Sequence, residues 1–376
     1  MKRELQLAAL LACALLLVAA FILMQSEGKN FAGGWLLVSF LLGSFVWLQC
    51  WRRRELNRAT LDSPLHATLG WANRITLARG VLIAACGGFL WREPTTLAIG
   101  WICGPLYALA AILDRVDGLV ARRSGCTTLL GAELDTVVDA LGLLVAPLLA
   151  ISLGKIHWSY LLVSAAYYFF QLGLYWRRRR GLAVYPLSPS KLRRTFAGFQ
   201  MGFIAVVLWP PFRAPMTVII GFAFMVPVLL GFAMDWLVVS GKLQARLPPA
   251  NAFFRNLAAF STTLFQPALR VLLVLALFML KQNSELESAT QQTNFWSATV
   301  LDYALAFCAM IILLGLAGRI GALALLCLLA WYFPIASLNT ALGAAIVSAV
   351  WILLLGCGRF SLWQWDDRWV ARYDGS

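Results

Sequence analysis

Apolar runs of about twenty residues, separated by short polar and basic stretches, recur along the whole chain. A helix of that length spans the hydrocarbon core of a bilayer, and a window of that size predicts about twelve spans. Two open the chain, near residues 5–25 and 32–50. Six follow, near 74–92, 97–114, 128–153, 158–176, 194–210 and 215–239. Four close it, near 258–280, 296–316, 318–334 and 336–357. The pattern predicts an all-α polytopic membrane protein: two N-terminal transmembrane helices (1–50), a basic segment (51–71), a six-helix core (72–240), a linker (241–257) and a C-terminal four-helix bundle (258–376). The segment Trp51 to Trp71 reads either as an interfacial helix carrying Leu56, Leu61, Leu65 and Leu69 or as a plain linker. Pro248-Pro249 marks the boundary before the last four spans. No fixed-period repeat is evident.

Composition agrees with the pattern. Hydrophobic residues make up 61% of the 376, charged residues only 13%, and mean hydropathy is +0.77. A soluble domain could not hide that much apolar surface. The net charge of +14 would suit a nucleic-acid binder, but its placement argues against one. Basic residues cluster at Arg52 to Arg54, Arg122-Arg123, Arg177 to Arg180, Lys191 to Arg194 and Lys242 to Arg255, always between apolar runs. The loops Gln25 to Asn30, Arg92 to Thr96 and Lys281 to Asn294 are poor in Lys and Arg. By the positive-inside rule this places both termini and every major basic cluster in the cytoplasm. The run Leu5 to Met24 reads as an uncleaved signal anchor. Eight cysteines without metal-ligand spacing read as small hydrophobes, and two histidines, His66 and His157, argue against zinc.

Against this apolar background four aspartates cluster within residues 114–139: Asp114, Asp117, Asp135 and Asp139. Uncompensated carboxylates near a bilayer are costly, so the cluster demands a cation. Hard oxygen ligands without nearby Cys or His point to magnesium, manganese or calcium. Asp114 and Asp117 are three apart and so share a helix face. Gly131, Asp135 and Asp139 are each four apart and form one stripe on the next span, with the glycine expected to leave open space above the carboxylates. A short basic loop makes the two helices neighbours, so all four carboxylates can converge on one or two ions. Displacement at phosphorus needs this arrangement: divalent ions bridge phosphoryl oxygens, and a free carboxylate can accept the attacking hydroxyl's proton. Pairing with Arg115, Arg122 and Arg123 is the structural alternative.

The string Asp114-x2-Asp117-Gly118-x2-Ala121-Arg122-x8-Gly131-x3-Asp135-x3-Asp139 resembles the full signature of the CDP-alcohol phosphotransferases. The resemblance covers about residues 70–240. It implies a six-helix membrane enzyme that moves a phosphatidyl or phospho-alcohol group from a CDP carrier to a hydroxyl and releases CMP. It further implies that the four aspartates hold two Mg2+ or Mn2+ ions, that Asp139 is also the general base, and that Gly118, Ala121 and Arg122 lie along the cytidine diphosphate beside Gly131. Asn73-x2-Thr76-x2-Arg79 is similar to the family's motif at the start of its first core helix, whose polar residues face the nucleotide. Asn73 and Thr76 are also ordinary residues for a helix start.

Pro186 to Gln200 carries Lys191 and Thr195 at a spacing altered from the family's acceptor-side pattern, without the glycine before the lysine. Lys191, Arg193 and Arg194 could bind an acceptor phosphate or simply anchor the helix end at the membrane surface. In the last four spans Arg270 lies mid-helix, which suggests a buried partner or a pore-side position. Gly315-x2-Gly318-Arg319 and Gly356-x-Gly358-Arg359-x-Ser361-Leu362 resemble the DoxX-like four-helix membrane family. The tail Trp363 to Tyr373 fits an interfacial cap.

The expected donor is CDP-diacylglycerol, the expected acceptor a small alcohol or phospho-alcohol, and the setting a bacterial inner membrane, with no nucleic-acid partner. A homodimer is compatible with the pattern. The runner-up has a soluble CDP-alcohol donating to a lipid hydroxyl. A cation transporter or membrane scaffold is the third reading, but it would need carboxylates near the midplane of broken helices.

Overall fold

The computed structural model describes residues 1–376 apart from 93–94, 96, 188–189, 244–247, 283–297, 333–338, 364 and 367–376. Most of the Lys/Arg-poor loop 281–294 and of the aromatic tail therefore lies outside the described residues, as does the Ser188-Pro189 part of the acceptor-side segment. Among the described residues regular structure is helical, without a strand.

Helices α1 (Lys2–Glu27) and α2 (Lys29–Arg52) form a hairpin about Gly28. α3 (Trp71–Gly87), the short α4 (Leu97–Gly100), α5 (Cys103–Ser124), α6 (Leu129–Ser152), α7 (Leu161–Arg179), α8 (Lys191–Val207) and α9 (Met216–Val239) follow. Next come α10 (Pro248–Phe260) and α11 (Gln266–Gln282), joined by a π-helical turn at Ser261–Phe265. α12 (Ala298–Leu314), α13 (Gly318–Tyr332) and α14 (Thr340–Leu355) complete the chain. Among the described residues, five helical segments are long and apolar enough to cross a membrane: α1, α2, α6, α9 and the continuous stretch Ala252–Gln282. α12 to α14 supply shorter apolar segments.

Three local expectations are corrected. The segment 51–71 holds no interfacial helix: beyond α2 there is one 3-10 turn, Arg54–Leu56, and the chain then runs irregularly to Gly70. The fourth predicted span does not end at residue 114, because α5 runs on to Ser124. Hydropathy falls at Asp114, but charge does not break a helix when the side chains find partners. Helix α10 begins at Pro248, inside the expected linker, since proline lacks only an N–H that a first turn does not use.

The described chain folds as two compact units, one of residues 1–161 with 201–212, the other of 162–200 with 213–376. In the first, α3 packs against α2, α5 and α6. Leu134, Val138, Leu141 and Val145 recur on α6 at helical spacing and are buried, which leaves Asp135 and Asp139 one position round the helix. A Cβ on Gly80 would come within 2.7 Å of Val46; small residues let membrane helices approach this closely.

In the second unit the buried Arg270 of α11 finds partners in main-chain carbonyls. Nε donates to Leu313 O at 3.1 Å, and Nη1 donates to Cys357 O at 3.0 Å and Phe360 O at 3.1 Å. Arg319 Nη1 likewise donates to Leu353 O at 2.7 Å and Leu354 O at 3.1 Å. Both guanidiniums thus cap helix C-termini, where carbonyls lack intrahelical donors and the helix dipole favours a cation. Gly358, at φ +81, lies where a Cβ would meet Thr262 O at 2.7 Å, and the same carbonyl accepts from Arg359 N at 2.9 Å. The glycine-arginine turns are therefore helix-end closures.

Replacing Arg270 with alanine orphans buried carbonyls on two chain segments. The expected loss is about 2–4 kcal/mol of stability, read by denaturant unfolding in detergent. A loss below about 0.5 kcal/mol, the range of ordinary surface substitutions, would contradict the capping role.

Candidate active site

The site is built on α3, α5 and α6 of the first unit. Three-residue steps along α3 bury Asn73, Thr76 and Arg79, with Arg79 only 1% exposed. Its guanidinium meets all four signature aspartates. Nη1 lies 2.8 Å from Asp117 Oδ2 and 2.7 Å from Asp135 Oδ1. Nη2 lies 2.5 Å from Asp114 Oδ1 and 2.5 Å from Asp139 Oδ1. Thr76 Oγ1 donates to Asp117 Oδ2 at 2.9 Å, so the most buried of the four carboxylates has two partners from α3.

The planar, permanently charged fork of arginine suits this multiple pairing. One guanidinium offsets one of four carboxylate charges and leaves a formal excess of three. Asp135 and Asp139 remain about half exposed, so the negative cluster is open on that side. Asp114, Asp135 and Asp139 each offer an oxygen, and these atoms all lie within 4.8 Å of one another. Oxygen ligands around a hard cation at roughly 2.0–2.6 Å are spaced in this way. The donor set therefore fits a divalent metal, with Arg79 supplying positive charge at its edge.

The other expected residues fall as follows. Asn73 Nδ2 donates to Leu69 O at 2.8 Å and Thr128 Oγ1 at 3.2 Å. Thr128 is the N-cap of α6 and accepts from Gly131 N at 3.0 Å, the usual role of a threonine before a helix. A Cβ on Gly131 would come within 2.6 Å of Asn73 Oδ1. Gly131 thus makes room for the Asn73 amide, which corrects the open space expected there. The four-residue spacing gave its face but not its neighbour, which lies far off in sequence.

On α5, Gly118, Ala121 and Arg122 follow Asp114 and Asp117 within two turns, and the Arg122 guanidinium lies over Gly118. Lys191, Arg193 and Arg194 begin α8 in the second unit, where Arg193 Nη1 pairs with Asp235 Oδ1 at 3.1 Å. Two contributors carried no sequence signal as site residues: the N-cap Thr128, legible only as a threonine before an apolar run, and the fully buried Asn57, whose Oδ1 accepts from Asn73 Nδ2 at 3.3 Å.

Arg79→Gln removes the only cation that the described ion pairs give to Asp114, Asp117, Asp135 and Asp139. In chelator the variant is expected to lose roughly 3–5 kcal/mol, the cost of an unpaired buried charge. Millimolar Mg2+ should restore most of it. Thermal unfolding with and without chelator reads both effects, and equal stability of variant and parent in chelator would contradict the counter-ion role.

The family model for CDP-alcohol phosphatidyltransferase matches residues 69–240, which contain α3 and all four aspartates and stop short of the C-terminal helices. No curated protein and no solved structure matches the chain. The signature sequence, its convergence in space and the family match coincide on the same helices. Residues 69–240 of this chain are similar to the CDP-alcohol phosphatidyltransferase family.

Proposed function

We propose that the chain is a metal-dependent transferase that moves a phosphatidyl group from CDP-diacylglycerol to the hydroxyl of a small alcohol or phospho-alcohol and releases CMP. The family implies transfer of a phosphatidyl or phospho-alcohol group from a CDP-alcohol. The observation that supports metal dependence is the meeting of four carboxylates from two helices about one guanidinium, open on the Asp135–Asp139 side.

In the reaction, the acceptor oxygen attacks the phosphorus that bears diacylglycerol. The new P–O bond forms as the bond to the CMP oxygen breaks, and the acceptor's proton passes to a base. Asp139 fills that role: its carboxylate is half exposed and can face an incoming hydroxyl. Asp114, Asp117, Asp135 and Asp139 would hold two Mg2+ or Mn2+ ions, whose charge offsets that of the pyrophosphate and of departing CMP. Gly118 and Ala121 give the donor close approach to α5, and Arg122 pairs with a phosphate by charge-assisted hydrogen bonds. Thr76 and Arg79 hold the carboxylates in register, while Asn73 and Gly131 fix the α6 end.

Lys191, Arg193 and Arg194 are assigned to the acceptor phosphate. A lipid donor accounts for placing such a site on membrane helices, since the acyl tails remain in the bilayer. The distribution of basic residues favours a cytoplasmic face, in a bacterial inner membrane.

Purified protein with labelled CDP-diacylglycerol, Mn2+ and a panel of alcohols should release CMP, and chelator should abolish the release. Asp139→Asn should bind donor yet turn over at least about 100-fold more slowly, the scale of general-base loss. Normal turnover in that variant would remove Asp139 as the base. Release only from a soluble CDP-alcohol with diacylglycerol would reverse the donor and acceptor.

A further inference from the structure

The two helices that precede the family region have no part in the reaction as proposed, yet they reach the start of α3. Gly70, whose φ is 80°, is the N-cap of α3, which therefore has no capping side chain of its own. Its first amides would ordinarily take a Ser, Thr, Asp or Asn from the chain just before. Glu4 of α1 approaches instead. Its Oε2 accepts from Leu69 N at 2.9 Å and its Oε1 accepts from Arg74 Nε at 2.8 Å, so one carboxylate ties residues on both sides of the helix start. Arg74 is held further by the Trp71 ring, 4.7 Å below its guanidinium. A negative charge at this end also suits the α3 dipole.

Asn57 closes the same corner from the irregular segment. Its Nδ2 donates to Thr68 O at 2.8 Å and its Oδ1 accepts from Asn73 Nδ2 at 3.3 Å. Asn57 is 0% exposed, an unusual position for an asparagine in a loop, and its own carbonyl accepts from His66 N at 2.9 Å. The hydrogen-bonded path runs from Glu4 through residues 68–69 to Asn57, Asn73, Thr128 and Gly131. Thr76 and Arg79 follow on α3 within about two and a half turns, so a rotation of the helix start moves both relative to the carboxylates.

We infer that Glu4 and Asn57 are positioning residues for the carboxylate site: the N-terminal hairpin and the surface segment set the azimuth of α3 and hence the placement of Arg79 and Asn73 against α5 and α6. For the donor this inference rests on the proposed function. For the cation it rests only on the cluster. Outer partners of metal-binding side chains change affinity by about 10–100-fold when removed.

The test uses the full chain in detergent and three variants, Glu4→Ala, Glu4→Gln and Asn57→Ala. Mn2+ binding is titrated by electron paramagnetic resonance without donor, and KM and kcat for CDP-diacylglycerol are read from CMP release. Glu4→Ala and Asn57→Ala are expected to weaken Mn2+ binding at least about tenfold and to raise KM more than they lower kcat, at unchanged helical content by circular dichroism. Glu4→Gln keeps an acceptor for Leu69 N–H and is expected to stay within about threefold of the parent.

Mn2+ affinity within about twofold of the parent in Glu4→Ala and Asn57→Ala would overturn the inference, being below the outer-partner range. Equal impairment of Glu4→Gln and Glu4→Ala with lost helix content would also overturn it, since the contact would then be only structural. Should Glu4→Ala not fold, Asn57→Ala and Glu4→Gln carry the same comparison. If the parent binds Mn2+ in a manner abolished by Asp135→Asn but releases no CMP, the transferase reading fails, and Mn2+ affinity alone still decides the positioning role.

Discussion

Four carboxylates brought together among membrane helices cannot stand without positive charge, and the first unit is arranged around that constraint. Among the described ion pairs their mutual repulsion is eased by the buried Arg79 guanidinium, and Asp135 and Asp139 remain at the open side. A soluble enzyme could leave such a cluster to water. Here apolar faces of α3 and α6 lie directly beside it and only the Asp135–Asp139 side is open, so Arg79 and bound cations carry much of the charge balance. The same negative charge that makes the cluster costly gives it affinity for a divalent metal.

Arginine at position 79 also explains how three helices are held at one angle. Its fork meets oxygens from both α5 and α6, while Gly80 and Gly87 of α3 let α2 approach closely. Stability and chemistry share these contacts. The second unit uses arginine differently: Arg270 and Arg319 face main-chain carbonyls at helix ends, where partial negative charge suffices. A buried arginine in a membrane helix is thus an ion-pair partner in one unit and a cap in the other, and the sequence around each does not distinguish them.

What the sequence made legible was what helix geometry alone determines. The steps of three between Asp114 and Asp117 and of four from Gly131 to Asp139 are intrahelical, so their shared faces followed from the 3.6-residue period, and most apolar runs became helices near their expected bounds. Illegible were features decided by distant partners. Gly131 faces Asn73, and the segment 54–70 is ordered by Glu4, Asn57 and their hydrogen-bond partners, none of which a local window sees. The end of α5 was misjudged because hydropathy registers the cost of charge in lipid, not its compensation by Arg79. The number of spans is an expectation of the same kind: charged helices such as α5 fall outside a hydropathy criterion whatever their position in a bilayer.

The central claim is that the two aspartate pairs grip a common cation site. Anomalous diffraction from crystals grown with Mn2+ tests it most directly. The account predicts strong density bounded by oxygens of Asp114, Asp117, Asp135 and Asp139, within roughly 2.0–2.6 Å of them. Mn2+ peaks confined to other parts of the molecule, with the four carboxylates still paired only to Arg79, would contradict it.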